Sequence, residues 1–151
     1  MSIIKAVCSI AIPGLLSVSC LAMVPAFAGN TNRASEPAPN ASPEAIVDAQ
    51  LAAYNRRDLE GFLDFYAEDA ILANHPDRVT QTGKAEIRAR YRQRFSHPHV
   101  HAEIIERVTF GRFVIDHERV VAAPPAKGTL EAVAVYEVSA GKIVRVTFLK
   151  N

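Results

Sequence analysis

The chain has 151 residues, 49% of them hydrophobic and 22% charged, with 17 Lys and Arg against 16 Asp and Glu. Its first 28 residues hold one charge (Lys5) and both cysteines (Cys8 and Cys20), which leaves 123 residues that are charge-balanced and thiol-free. That remainder is one domain's worth of chain, without a disulfide framework, thiol nucleophile or thiolate metal site, and without the basic excess of a nucleic-acid binder.

Residues 1–28 carry the pattern of a secretory signal peptide. Lys5 is the positive start, residues 6–24 form the apolar stretch, interrupted by Pro13-Gly14, and Ala26-Phe27-Ala28 is a small-x-small cleavage site before Gly29. A lipoprotein reading would use Cys20, but Ser17 stands where such a signal wants leucine. An uncleaved anchor is the other alternative; the Pro-Gly break and the small-residue site favour cleavage. The expectation is a periplasmic or secreted protein, cleaved after Ala28 and free of the membrane afterwards. Residues 29–41 (GNTNRASEPAPNA) have no large apolar side chain to bury and read as a flexible leader.

The domain proper spans 42–151. Ser42-Pro43 is a helix start, and Ile46, Ala49 and Ala53 with Val47, Leu51 and Tyr54 repeat at helical spacing over 43–56. Asp58 caps a shorter helix carrying Leu59, Phe62, Leu63, Phe65 and Tyr66. Residues 69–74 (DAILAN) are a short apolar strand ended by His75-Pro76-Asp77. Thr82-Gly83 introduces a third helix, 84–95, with Ile87, Tyr91 and Phe95 on one stripe. From residue 100 the period changes to two, which predicts strands over 100–110, 112–122, 130–138 and 142–149. Helices segregated from a largely antiparallel sheet make an α+β domain.

The AAYNRRDLEGFLDFYAEDAIL segment, the Gly83-to-Phe95 helix, the FGRFVIDHERV strand and the closing YEVSAGKIVRVTF hairpin resemble the nuclear transport factor 2-like superfamily. Within it they are most similar to the SnoaL-like and ketosteroid-isomerase-like branch. The resemblance implies a cone in which a curved, mainly antiparallel sheet wraps three helices around an apolar cavity. It also implies frequent homodimers and no obligatory metal, and it spans enzymes and non-enzymes, so the fold does not decide function.

Laid on the ketosteroid-isomerase pattern, the oxyanion tyrosine falls at Gln50, the base aspartate at Asn74 and the buried aspartic acid at Ala134. An amide is no general base and alanine donates no hydrogen bond, so that mechanism is rejected. Asn74 could still bind a carbonyl or hydroxyl. Asp116-His117-Glu118 is the obvious place for other acid/base chemistry, because histidine titrates near neutrality. Unbroken alternation, with Ala102, Ile104, Val108 and Phe110 as the apolar face and Glu106 as its exception, puts His117 inside the cone. Asp116 and Glu118 then share the outer face with Arg107, Glu103 and His101, and a one-residue slip reverses the arrangement. The alternative is a hydrogen-bonded structural His117 beside an Asp116–Arg107 surface ion pair.

His97-Pro98-His99-Val100-His101 places imidazoles at a spacing that can chelate metal, but Pro98 breaks the strand, and a polar entrance at the cone rim is the preferred reading. The third helix carries Lys84, Arg88 and Arg92 on one line and Arg90 and Arg94 on another; in a neutral domain these read as a solvated face rather than an anion- or partner-facing surface. Tyr54, Phe62, Tyr66 and Tyr91, with Asn74 and His101, are the candidate ligand contacts, and His117 with Asp116 the candidate catalytic pair. The expectation is an exported, dimeric domain binding a small, largely apolar molecule without a cofactor; the alternative is an acid/base enzyme of the cyclase, isomerase or dehydratase type.

Overall fold

The computed structural model describes residues 41–121 and 128–150, so the expected signal peptide and nearly all of the expected leader lie outside the described residues. Helix α1 (Pro43–Arg56) starts where Ser42 Oγ accepts from the Ala45 amide at 3.2 Å, with Pro43 at the first position. It ends as Arg57 turns left-handed. Asp58 caps α2 (Leu59–Leu63) by accepting from the Gly61 amide at 3.0 Å; a side chain at Gly61 would meet that carboxylate at 2.3 Å. Helix α3 (Gly83–Phe95) is capped from within, the Glu86 carboxylate accepting from the Thr82 amide at 2.7 Å.

The strands are β1 (Tyr66–Asn74), β2 (Arg78–Thr82), β3 (His101–Phe110), β4 (Phe113–Val121), β5 (Thr129–Ser139) and β6 (Lys142–Lys150). They form one curved sheet in the order β2-β1-β6-β5-β4-β3, antiparallel except for the β1–β6 pair. This is the α+β cone of the nuclear transport factor 2-like fold. Two details differ from the sequence reading. Phe65 and Tyr66 leave the second helix, which stops at Leu63, and Tyr66 starts β1. Strand β2 was not expected because RVTQT has no buried side chain to set a period.

The helices fill the concave side. Ile46, Val47 and Ala53 of α1, Phe62 and Leu63 of α2, and Ile87 of α3 are buried against Leu72, Val114, Ala134, Val138, Ile143 and Val146 of the sheet. Phe62 is the hub of an aromatic cluster, its ring 4.3 Å from Tyr91 and 5.0 Å from Tyr66, centroid to centroid. Edge strand β3 is tied to α1 by Asn55, whose Nδ2 donates to the Ala102 carbonyl at 2.9 Å and whose Oδ1 accepts from the Ala102 amide at 2.8 Å. The amide side chain thus stands in for the strand β3 lacks on that side. Replacing it strands two backbone groups, so Asn55→Ala should cost about 1–3 kcal/mol, read from the denaturant midpoint.

Candidate functional site

A β-bulge decides which side chains enter the cone. The β3–β4 register shifts between Ile104 and Glu106, so Ile105 is an extra residue. Ala102 and Ile104 face the helices before it; beyond it Arg107 takes the inner face, while Val108 and Phe110 turn outward and are 53% and 77% exposed. On β4 the inner residues are therefore Val114, Asp116, Glu118 and Val120, all buried. This corrects the face assignment made from unbroken alternation, in which Glu106 looked like an isolated exception.

His117 consequently lies on the outer face, opposite Glu106, with Nε2 3.2 Å from Glu131 Oε2. Arg119 pairs with the same Glu131 at 2.9 Å. His117 and Asp116 point to opposite sides of the sheet and do not form a joint acid/base pair in one cavity. Asp116 is 1% exposed and gripped bidentately by Arg107, Nε to Oδ1 at 2.6 Å and Nη2 to Oδ2 at 2.8 Å. Arg107 also donates to Asp48 of α1. Ala134, where the isomerase pattern has its buried acid, sits directly across from Asp116 and leaves it room.

Beside this network the cone opens into a cavity of about 70 Å³, well under the roughly 300–1,000 Å³ of a drug-sized site, so it admits a small ligand or one end of a larger one. Gln50 and Tyr54 of α1 and Tyr91 of α3 form one wall, with Tyr136 of β5 and Phe148 of β6 opposite. Glu118 enters from β4 above the small Ala132 of β5, its cross-strand partner. Arg90 and Arg94 of α3 and Lys150 of β6 line it too, so part of the helix face read as solvated belongs to the site.

Of the expected ligand contacts, Tyr54 and Tyr91 line this cavity. Phe62 and Tyr66 are buried behind its wall, Tyr66 accepting from Gln50 Nε2 at 3.1 Å. Asn74 ends β1 between Arg78 and Phe148 and is not part of the lining, and His101 is exposed at the start of β3. Among the described residues no three His, Cys, Asp or Glu side chains cluster as metal ligands.

Glu118 is the residue the sequence reading missed. It is 7% exposed and in no ion pair among the described residues. Burial, and then the negative charge of Asp116, push its carboxyl up to about 7, against the opposing pull of Arg94 and Lys150. A carboxyl poised at neutrality in a cavity can both take and give a proton. Burial also raises the phenols of Tyr54, Tyr91 and Tyr136, so these stay neutral hydrogen-bond donors.

A curved six-stranded sheet closed by three helices around a pocket of this kind defines the class, and the family follows from it: residues 47–146 match the SnoaL-like domain, and the chain belongs to that family. No curated protein matches the chain. Among solved structures, an uncharacterized cystatin fold protein from Novosphingobium aromaticivorans is 28% identical at a TM-score of 0.66, over 73% of this chain and 99% of its own. An NTF2-like protein of unknown function from Cytophaga hutchinsonii is 11% identical (TM-score 0.63, 73% and 90% covered). An LEH-like epoxide hydrolase from M. tuberculosis is 17% identical (TM-score 0.58, 70% and 80% covered). These last two share the fold.

The Glu118 environment has a thermodynamic signature. A carboxyl whose folded pKa is raised binds more protons folded than unfolded, so stability falls as pH rises from about 4.5 to about 7 and then levels off. The loss should be of order 3 kcal/mol. Glu118→Gln should abolish that component of the pH profile in denaturant melts and be the more stable protein at pH 8, whereas an unchanged profile would contradict the assignment.

Proposed function

We propose that the chain is an exported protein that binds a small organic molecule inside its cone. The cavity carries this reading: it is walled by Tyr54, Tyr91, Tyr136 and Phe148, so an apolar body fits, while Gln50, Glu118 and the phenols offer a few directed polar contacts. Export rests on Lys5, the apolar run and Ala26-Phe27-Ala28. Association with a second copy is supported by Ile105, Val108 and Phe110, which the bulge turns outward along edge strand β3, where apolar side chains favour burial against a partner.

A second reading, proton transfer on the bound molecule, is favoured by Glu118. The fold neighbour from M. tuberculosis is an epoxide hydrolase, so the cone is compatible with catalysis. Here Glu118 would take a proton from, or return it to, a carbon or oxygen acid. Asp116, held by Arg107, would act only through Glu118, its charge keeping that carboxyl near neutrality.

The experiment is native mass spectrometry of untagged protein purified from its own compartment. A small organic molecule bound at one per chain, and lost on filling the cavity by Ala132→Phe, is expected; a bound molecule unaffected by that change would contradict binding in the cone. Incubating the co-purified molecule with protein in heavy water then tests proton transfer. Deuterium exchange above the protein-free rate should fall by roughly a hundredfold or more in Glu118→Gln, and exchange at the protein-free rate in both would leave a carrier.

A further inference from the structure

Three cations meet at the cavity: Arg90 and Arg94 of α3 and Lys150 of β6. Lys84 and Arg88 of the same helix are paired, with Glu68 and Glu60. Among the described residues Arg90, Arg94 and Lys150 are in no ion pair. Arg94 donates from Nε to the Tyr54 hydroxyl at 2.6 Å, which aims its guanidinium along the cavity wall and leaves its outer nitrogens free of Tyr54. The cations also act on one another, since burial, and then the charges of Arg90 and Arg94, lower the Lys150 ammonium from its ordinary range. An anion among them relieves that repulsion.

An independent observation comes from α1. Gln50 is 4% exposed and lines the same cavity; its Nε2 is used on Tyr66, but among the described residues its Oε1 has no hydrogen-bond partner. A buried acceptor left without a donor is costly and uncommon, so the amide gains from a ligand donor that reaches it.

We infer that the cavity takes a compact hydroxylated organic acid, its carboxylate among Arg90, Arg94 and Lys150 and its hydroxyl donating to Gln50 Oε1. The inference rests on the small-molecule reading above and narrows it to a substrate class. Planar guanidinium groups suit a carboxylate.

The test titrates protein expressed from the full chain with para-hydroxybenzoate, para-hydroxybenzamide, benzoate and inorganic phosphate. Calorimetry gives the affinities, and amide NMR shows whether cavity residues shift. The hydroxy acid should bind about ten- to a hundredfold more tightly than its amide, and several-fold more tightly than benzoate. Arg90→Gln with Lys150→Gln should reduce the acid to the level of the amide while leaving the amide unchanged. Gln50→Leu should remove the advantage of the hydroxyl. Equal binding of acid and amide in the cavity overturns the carboxylate assignment and leaves the small-molecule reading standing. Phosphate as tight as the hydroxy acid marks a nonselective anion site and overturns the inference likewise. No shift of any cavity residue with any probe overturns the inference and counts against the reading beneath it.

Discussion

The bidentate pair of Asp116 and Arg107 is the constraint around which the site is built. A carboxylate 1% exposed in the middle of a sheet is tolerated only because a guanidinium meets both its oxygens, and removing either partner would cost about 3–5 kcal/mol. The pair can form only because Ile105 bulges out of β3 and turns Arg107 inward. Asp48 on α1 holds the guanidinium from its other side, so the same cation joins helix to sheet.

That arrangement sets the chemistry of its neighbour. Glu118, two residues further along β4, also points inward, but Arg107 is spent on Asp116 and Asp48. Left with burial and a nearby negative charge, its carboxyl stands near neutrality, facing a cavity instead of an ion-pair partner. The two inward acids of β4 thus divide the work: Asp116 is paired with Arg107 and structural, and Glu118 faces the cavity. Both fit because their partners across on β5 are Ala134 and Ala132. Ala134, the position that lacks the isomerase's buried acid, is part of what lets β4 supply Asp116.

Much of the fold was legible in the residues themselves. Ser42-Pro43 and Asp58 mark helix starts through local capping chemistry, which needs no tertiary context; Thr82-Gly83 marks the third, where Glu86 and not the Thr82 side chain makes the cap, and alternation beyond residue 100 marks the long strands. Strand β2 was not legible because Arg78–Thr82 is held by pairing with β1, not by a buried face. The site was half legible. Tyr54 and Tyr91 could be picked because a buried phenol needs a partner, but His117 and Glu118 exchanged places through one extra residue, and a bulge leaves period two intact on either side of itself. The charged Glu106 within an apolar stripe was its only visible trace. Arg90 and Arg94 resembled a solvated face because composition does not reveal that a helix rims a cavity.

Glu118 holds a proton near neutral pH inside the cone. A site-resolved NMR titration of its side-chain carboxyl tests this most directly. The midpoint should lie near 7 and fall toward the ordinary glutamate range when Asp116 is replaced by Asn and its charge removed. A midpoint near 4.5 in the unaltered protein would contradict it, and would make Glu118 a permanently charged wall of the cavity.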